Sequence, residues 1–184
     1  MSTIDNLLGR KEGLYYEWRF GKIFYTKEGT GKPILLIHDL SACSSEYEWN
    51  RIVSDLSKTN TVYTLDLLGC GKSDKPNFTY TNFLYVQLVT DFINNVIGEK
   101  ADVIVTGNSC SFVLMACHNN DEIIDRILLI NPPSISSISK VPTKRTKMLK
   151  FIINIPFIGT LLFNLLHSKD SICLLYTSDA ADDS

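Results

Sequence analysis

The chain has no CxxC pair, and its five cysteines, Cys43, Cys70, Cys110, Cys117 and Cys173, have no histidine near enough in sequence to complete a zinc set. An odd, scattered thiol set of this kind excludes a disulfide framework and points to a reducing, cytoplasmic setting. Charge of one sign is missing as well. With 20 acidic and 18 basic residues the net charge is -2, which gives no electrostatic reason to expect nucleic acid. The N-terminal stretch MSTIDNLLGRKEG has no apolar core of the kind a signal peptide needs. The Asn77-Phe78-Thr79 sequon is therefore read as chance. The apolar segment from Phe151 to Leu166 is interrupted by Asn154, Pro156, Gly159 and Asn164 and falls short of the roughly 20 residues that cross a bilayer. Ten glycines and six prolines are too few for a fibre, and 45% hydrophobic residues are too many for a disordered chain. What remains is one globular domain, long enough at 184 residues to bury roughly 70% of its unfolded surface.

Along the chain, short apolar runs rich in β-branched residues alternate with longer stretches of helical spacing, which predicts an α/β domain. Tyr15 to Phe20 and Lys22 to Lys27 read as a hairpin broken at Gly21. Ile34 to Ile37, Thr61 to Leu65, Val103 to Val105 and Ile127 to Ile130 are continuously apolar and read as parallel central strands covered on both faces. Ser45 and Glu48 form a capping box ahead of Trp49, Ile52, Val53 and Leu56. Tyr85, Leu88, Val89, Phe92 and Val96 define a second helix stopped by Gly98, and a third starts near Ser109 and runs to about His118.

The segment Val103-Ile104-Val105-Thr106-Gly107-Asn108-Ser109-Cys110-Ser111 takes an apolar strand through a small-residue turn into a helix, the setting of a nucleophile elbow. Such a turn predicts a strained backbone at Ser109, with the helix N-terminus adding partial positive charge beneath the hydroxyl. Ser111 stands where the GxSxG consensus has its last glycine. Cys110 beside the helix start invites a reactive-thiol reading, but a small residue next to Ser109 is the preferred account of it. Gly71-Lys72-Ser73 matches the end of a P-loop, but position 66, where that motif needs glycine, is Asp66. A tight turn is the remaining reading.

Two further motifs precede the elbow: His38-Asp39-Leu40 at the end of a strand, and Asp66-Leu67-Leu68-Gly69-Cys70-Gly71 after the next. With these three motifs, in this order, residues 15 to 170 resemble the α/β-hydrolase superfamily of serine hydrolases. The resemblance implies an eight-stranded, mostly parallel sheet, Ser109 as nucleophile, and an oxyanion hole from the backbone N–H groups of Cys110 and Leu40. Two such donors suit the charge that develops on one oxygen during acyl transfer. It implies a structural role for His38. Asp39 stands where the family usually has glycine, and a carboxylate there opposes an oxyanion unless it turns away.

The rest of a triad is not legible. The fold places its acid and then its histidine after the serine, but only His118 and His167 follow Ser109, and neither lies where the family has its base. The stretch from Cys173 to Asp182 resembles a reading frame continued through a sequencing adapter. The expected organisation is a core over 1–140, the start of a helical cap over 141–172 and a non-native tail over 173–184, with the last strands missing. Lys144, Arg145, Lys147 and Lys150 ahead of the apolar segment suit a cap lining an acyl pocket better than contact with an anionic membrane surface. The expected activity is hydrolysis of carboxylic esters or related acyl compounds without cofactor or metal, in a chain that is itself catalytically incomplete. The alternative is a non-catalytic relative that binds a small apolar ligand, and a third reading is an aggregating fragment.

Overall fold

A computed structural model of the chain describes residues 13–41 and 43–134. The chain divides into two compact units, Met1–Ser134 and Ile135–Ser184, and everything below belongs to the first. The expected core boundary at residue 140, the cap over 141–172 and the tail over 173–184 lie outside the described residues.

Six strands form one sheet: β1 (Leu14–Trp18), β2 (Gly21–Glu28), β3 (Lys32–Ile37), β4 (Asn60–Leu65), β5 (Ala101–Thr106) and β6 (Ile124–Ile130), in the spatial order β1-β2-β4-β3-β5-β6. The pairs β4/β3, β3/β5 and β5/β6 are parallel, whereas β1/β2 and β2/β4 are antiparallel. The four apolar runs are thus the parallel centre and the hairpin is its antiparallel edge, as the sequence predicts.

Three helices follow: α1 (Asn50–Leu56), entered through a 3₁₀ turn at Glu46–Trp49, α2 (Asn82–Phe92), and α3 (Ser109–Asn119). Alternation along β3 shows which face each helix covers. Leu35 and Ile37 join Leu88, Val89, Phe92, Phe112 and Val113 in the larger core, while Ile34 and Leu36 join Trp49 and Val53 in a smaller one. So α2 and α3 lie on one face and α1 on the other. A chain that steps from β3 back to β4 and from β5 outward to β6 must do this if its crossovers share one hand. The strand order reverses between β3 and β5, and open α/β sheets bind ligands in the crevice beyond the C-terminal ends of strands at such a point.

Two expectations need correcting. The capping box does not close: Ser45 accepts from the Tyr47 N–H, but Glu48 reaches away to Asp39 and Thr106. The last apolar run is not covered on both faces, since Leu128 is 55% and Ile130 41% exposed. Among the described residues the cluster under α1 reaches from β4 across β3 to Ile104 of β5 and includes no residue of β6, so that face of β6 has no helix above it.

Helix α2 starts at Thr81, whose hydroxyl accepts from the Leu84 N–H, widens into one π turn over Ile93–Ile97, and stops at Gly98 in the left-handed region (φ 77°). The hairpin docks on it through Asp91, which accepts from the Trp18 indole at 2.8 Å and from Arg19. At the opposite end of the sheet Lys32 and Arg126 converge on Asp102. Burial alone would raise the Asp102 carboxyl, but these two partners hold it below its ordinary value.

Candidate active site

The site is built on the end of β3. The His38 ring has no accessible surface, its Nε2 accepts from the Leu67 N–H at 3.0 Å, and the protonated Nδ1 then donates to the Asp39 carbonyl at 2.7 Å. Both ring nitrogens are consumed in tying β3 to the segment after β4, so the structural reading of His38 matches the geometry. No nitrogen is left to accept a proton from a nucleophile.

Beneath this lies Asp66, which the sequence reading used to reject a phosphate loop and as part of a motif, but to which it gave no structural role. Asp66 is fully buried, and its two oxygens accept the backbone N–H groups of Glu46 and Lys72, each at 2.7 Å. Gly71 backs directly onto that carboxylate with φ 46°, so a side chain there would meet both a clash and a strained backbone. Ser73 completes the turn, donating to the Asp66 carbonyl and accepting from the Phe24 N–H. The Gly69–Ser73 segment is therefore a tight turn folded on a buried acid. The signal that could have revealed it was an aspartate placed directly after an apolar strand and ahead of Gly-x-Gly.

The strand-to-helix junction sits beside the His38–Asp39 segment, but its hinge is not where the motif predicts it. Ser109 is the first residue of α3 and has no accessible surface, and its hydroxyl donates to the His38 carbonyl at 2.7 Å. Among the described residues the single non-glycine with positive φ is Asn131, whereas the left-handed residue at the junction is Gly107 (φ 56°). The strain expected at Ser109 is thus carried two residues earlier, by a residue that bears it at little cost.

Asp39 accounts for this arrangement. Its carboxylate accepts the Asn108 N–H at 2.7 Å and packs on Gly107 so closely that a Cβ at 107 would collide with it. A carboxylate at a helix N-terminus is stabilising by about 0.3–2 kcal/mol, and the Asn108 side chain makes no capping bond of its own. Asp39 therefore turns toward the junction, not away from it. The Cys110 N–H, assigned to the oxyanion hole, donates within the turn to the Gly107 carbonyl at 3.2 Å, and Leu40 is half-buried against the larger core. In this arrangement Ser109 does not face two open amide donors.

The thiols beside the site are not activated. Burial, followed by the charge of Asp66, pushes the Cys70 thiol up to about 11, and burial likewise raises that of Cys110, whose Sγ points at the Val105 and Ile130 carbonyls. Maleimide at pH 8 is therefore expected to modify exposed Cys43 first and Cys70 roughly a hundredfold more slowly, because only the thiolate reacts. The Cys70 rate should climb about tenfold per pH unit toward pH 11. Peptide mapping of a timed reaction checks this, and equal rates at Cys43 and Cys70 would contradict it.

No base reaches Ser109 from the described histidines. His118 lies in the last turn of α3, nine residues on and therefore about 13 Å along the axis at 1.5 Å per residue, with its side chain exposed. His167 lies outside the described residues. An aromatic ladder closes the site from the α2 side, with Tyr80 stacked on Tyr85 and Tyr85 on buried Phe112 (centroids 6.3 and 5.1 Å apart), while the Tyr85 hydroxyl donates to the Leu68 carbonyl.

The model of the alpha/beta hydrolase family matches residues 34–170. Over 86 residues the chain is 34% identical to the 2-hydroxy-6-oxo-6-(2'-aminophenyl)hexa-2,4-dienoic acid hydrolase of Metapseudomonas resinovorans, a stretch covering 46% of this chain and 29% of that one. Over 110 residues it is 24% identical to a soluble epoxide hydrolase of Corynebacterium sp. (strain C12), covering 60% and 38%. Among solved structures, an alpha/beta hydrolase fold protein from Burkholderia ambifaria superposes with a TM-score of 0.67 at 19% identity, covering 82% of this chain and 55% of that one. The chain thus matches about a third of the length of these curated relatives and about half of that structure. With a mostly parallel sheet that reverses its strand order between β3 and β5, a serine-bearing junction at the reversal and a family match across residues 34–170, the chain belongs to the alpha/beta hydrolase family.

Proposed function

We propose that this chain carries the nucleophile-bearing part of a serine hydrolase that acts on carboxylic esters or related acyl compounds with a mostly apolar acyl part. The observation that carries the reading is the position of Ser109 at the C-terminal ends of β3 and β5, where the strand order reverses, the point at which open α/β sheets bind their ligands. Once the junction opens, Ser109 attacks the acyl carbonyl and gives its proton to a histidine that residues 13–134 do not supply. The carbonyl oxygen becomes the oxyanion held by the Cys110 and Leu40 N–H groups, its collapse expels the alcohol with that proton, and water then releases the acid from the serine. Residues 13–134 contain no base for Ser109, since His38 is fully bonded and His118 is remote, so these residues alone do not turn over substrate. The hydrolase of Metapseudomonas resinovorans supports the acyl reading, because its name gives a ketone-bearing dienoic acid as substrate. The described cysteines are all unpaired, which agrees with a cytoplasmic location, and no helix among the described residues is long and apolar enough to cross a membrane.

A second reading is favoured by one observation: Ser109 is buried and its hydroxyl is already spent on His38. The protein would then keep the crevice to bind a small apolar ligand without chemistry. Hydrolysis of p-nitrophenyl esters of increasing chain length by the product of the complete source gene separates the two. The hydrolase reading expects turnover that is lost in Ser109→Ala. The binding reading expects saturable retention of the ester with no release of nitrophenol in either protein.

A further inference from the structure

The contacts made by Asp39 go beyond capping a helix. Its carboxylate takes the Asn108 N–H, its neighbour's carbonyl at His38 takes the Ser109 hydroxyl, and Gly107 lies flat against its side chain, so three consecutive residues of the junction are gripped by two consecutive residues of β3's end. That end is itself held from behind. Glu48 accepts the Asp39 N–H at 3.2 Å and the Thr106 hydroxyl at 3.4 Å, which joins it to the last residue of β5, and the His38 ring ties it to Leu67. The grip and its backing lie within the described residues, and the two gripping bonds join residues 69 and 71 apart in sequence.

We propose that Asp39 is an internal lock on the elbow, a carboxylate that occupies the amide donor at the junction and holds the Ser109 side chain turned in. A carboxylate bound to a backbone N–H is among the stronger neutral-pH hydrogen bonds and stands at the positive end of a helix. The His38 carbonyl that holds the Ser109 hydroxyl adjoins Asp39, so anchoring Asp39 on the Asn108 N–H fixes that acceptor as well. Glycine at position 39 would bring no acceptor to the junction and would leave Asn108's N–H to water. This inference rests on Ser109 being the reactive hydroxyl only for its consequence in catalysis. The lock itself is a statement about accessibility.

Its test uses the full chain with a reporter thiol, Ser109→Cys combined with Cys110→Ser, the second change retaining a donor toward the Val105 and Ile130 carbonyls. Reaction of Cys at 109 with N-ethylmaleimide is followed by peptide mapping with Asp39 present, with Asp39→Gly and with Asp39→Asn, each checked for a cooperative melt. The lock predicts slow labelling with Asp39 and about 10- to 100-fold faster labelling with Asp39→Gly, the change expected for losing one charge-assisted bond. Asp39→Asn, which keeps an acceptor oxygen, should stay nearer to the slow rate. It also serves as the comparison if Asp39→Gly fails to melt cooperatively, and it should then label a few-fold faster than the parent. Equal rates in all the folded variants would overturn the lock and leave Asp39 a helix cap. A fluorophosphonate applied to the complete gene product carrying Asp39→Gly and the native Ser109 separates this from the catalytic reading. If position 109 opens to maleimide but Ser109 takes no phosphonate, the lock stands and the nucleophile assignment fails.

Discussion

Asp66→Ala is expected to lower the stability of the core by about 3–5 kcal/mol, the largest single effect anticipated in the described residues outside the hydrophobic core. The carboxylate is fully buried and satisfies two backbone N–H groups, those of Glu46 and Lys72, from two different loops. Removing it takes the acceptor from two part-buried donors, at up to about 1–3 kcal/mol each, and opens a void beneath Gly71. A domain of this size would lose on the order of 10 °C or more in melting temperature. Asp66→Asn retains one acceptor but turns an NH₂ toward a donor, so it should fall between the wild type and Asp66→Ala. Thermal melts of the three proteins check the order, and an Asp66→Ala melt within 2–3 °C of wild type, about 1 kcal/mol or less for a domain of this size, would show that water replaces the carboxylate.

The second large effect concerns chemistry. In the product of the complete source gene, Ser109→Ala is expected to reduce kcat/KM for an activated ester by about 10³- to 10⁶-fold, since removing the nucleophile abolishes covalent catalysis and leaves only binding and any oxyanion stabilisation. The variant should remain folded. The Ser109 hydroxyl donates one bond to the His38 carbonyl, an acceptor with a second lone pair, and the replacement is smaller, so the stability cost should be about 1 kcal/mol. That split between a large loss of activity and a small loss of stability is the signature of a nucleophile. A variant with unchanged kcat/KM would assign the chemistry to another group.

Much of the fold could be read from residues taken in order. The four apolar runs are the parallel strands, Gly98 ends the α2 region, and the small-residue turn after Val105 leads into α3 at Ser109. These features depend on local spacing, which a single sequence displays. The organisation of the site depends instead on pairs far apart in the chain. Nothing near Gly107 announces that a carboxylate 68 residues earlier lies against it, so the left-handed residue was placed at Ser109, where the motif puts it. Glu48 reads locally as half of a capping box, yet the unpaired Asp39 N–H and the Thr106 hydroxyl compete for it and win. The exposure of Leu128 and Ile130 was hidden for a similar reason, because an apolar run records what a strand tolerates and not which helix covers it.

The account turns on Ser109 being a hydroxyl that the protein can present to an acyl group at the reversal point of the sheet. Mass spectrometry after incubation of the complete gene product with a fluorophosphonate tests this most directly. The account predicts a single phosphonate adduct, mapped to the tryptic peptide Ala101–Arg126 and localised to Ser109, and absent from Ser109→Ala. A cooperative, folded protein with no adduct, or with its adduct on any other residue, would contradict it.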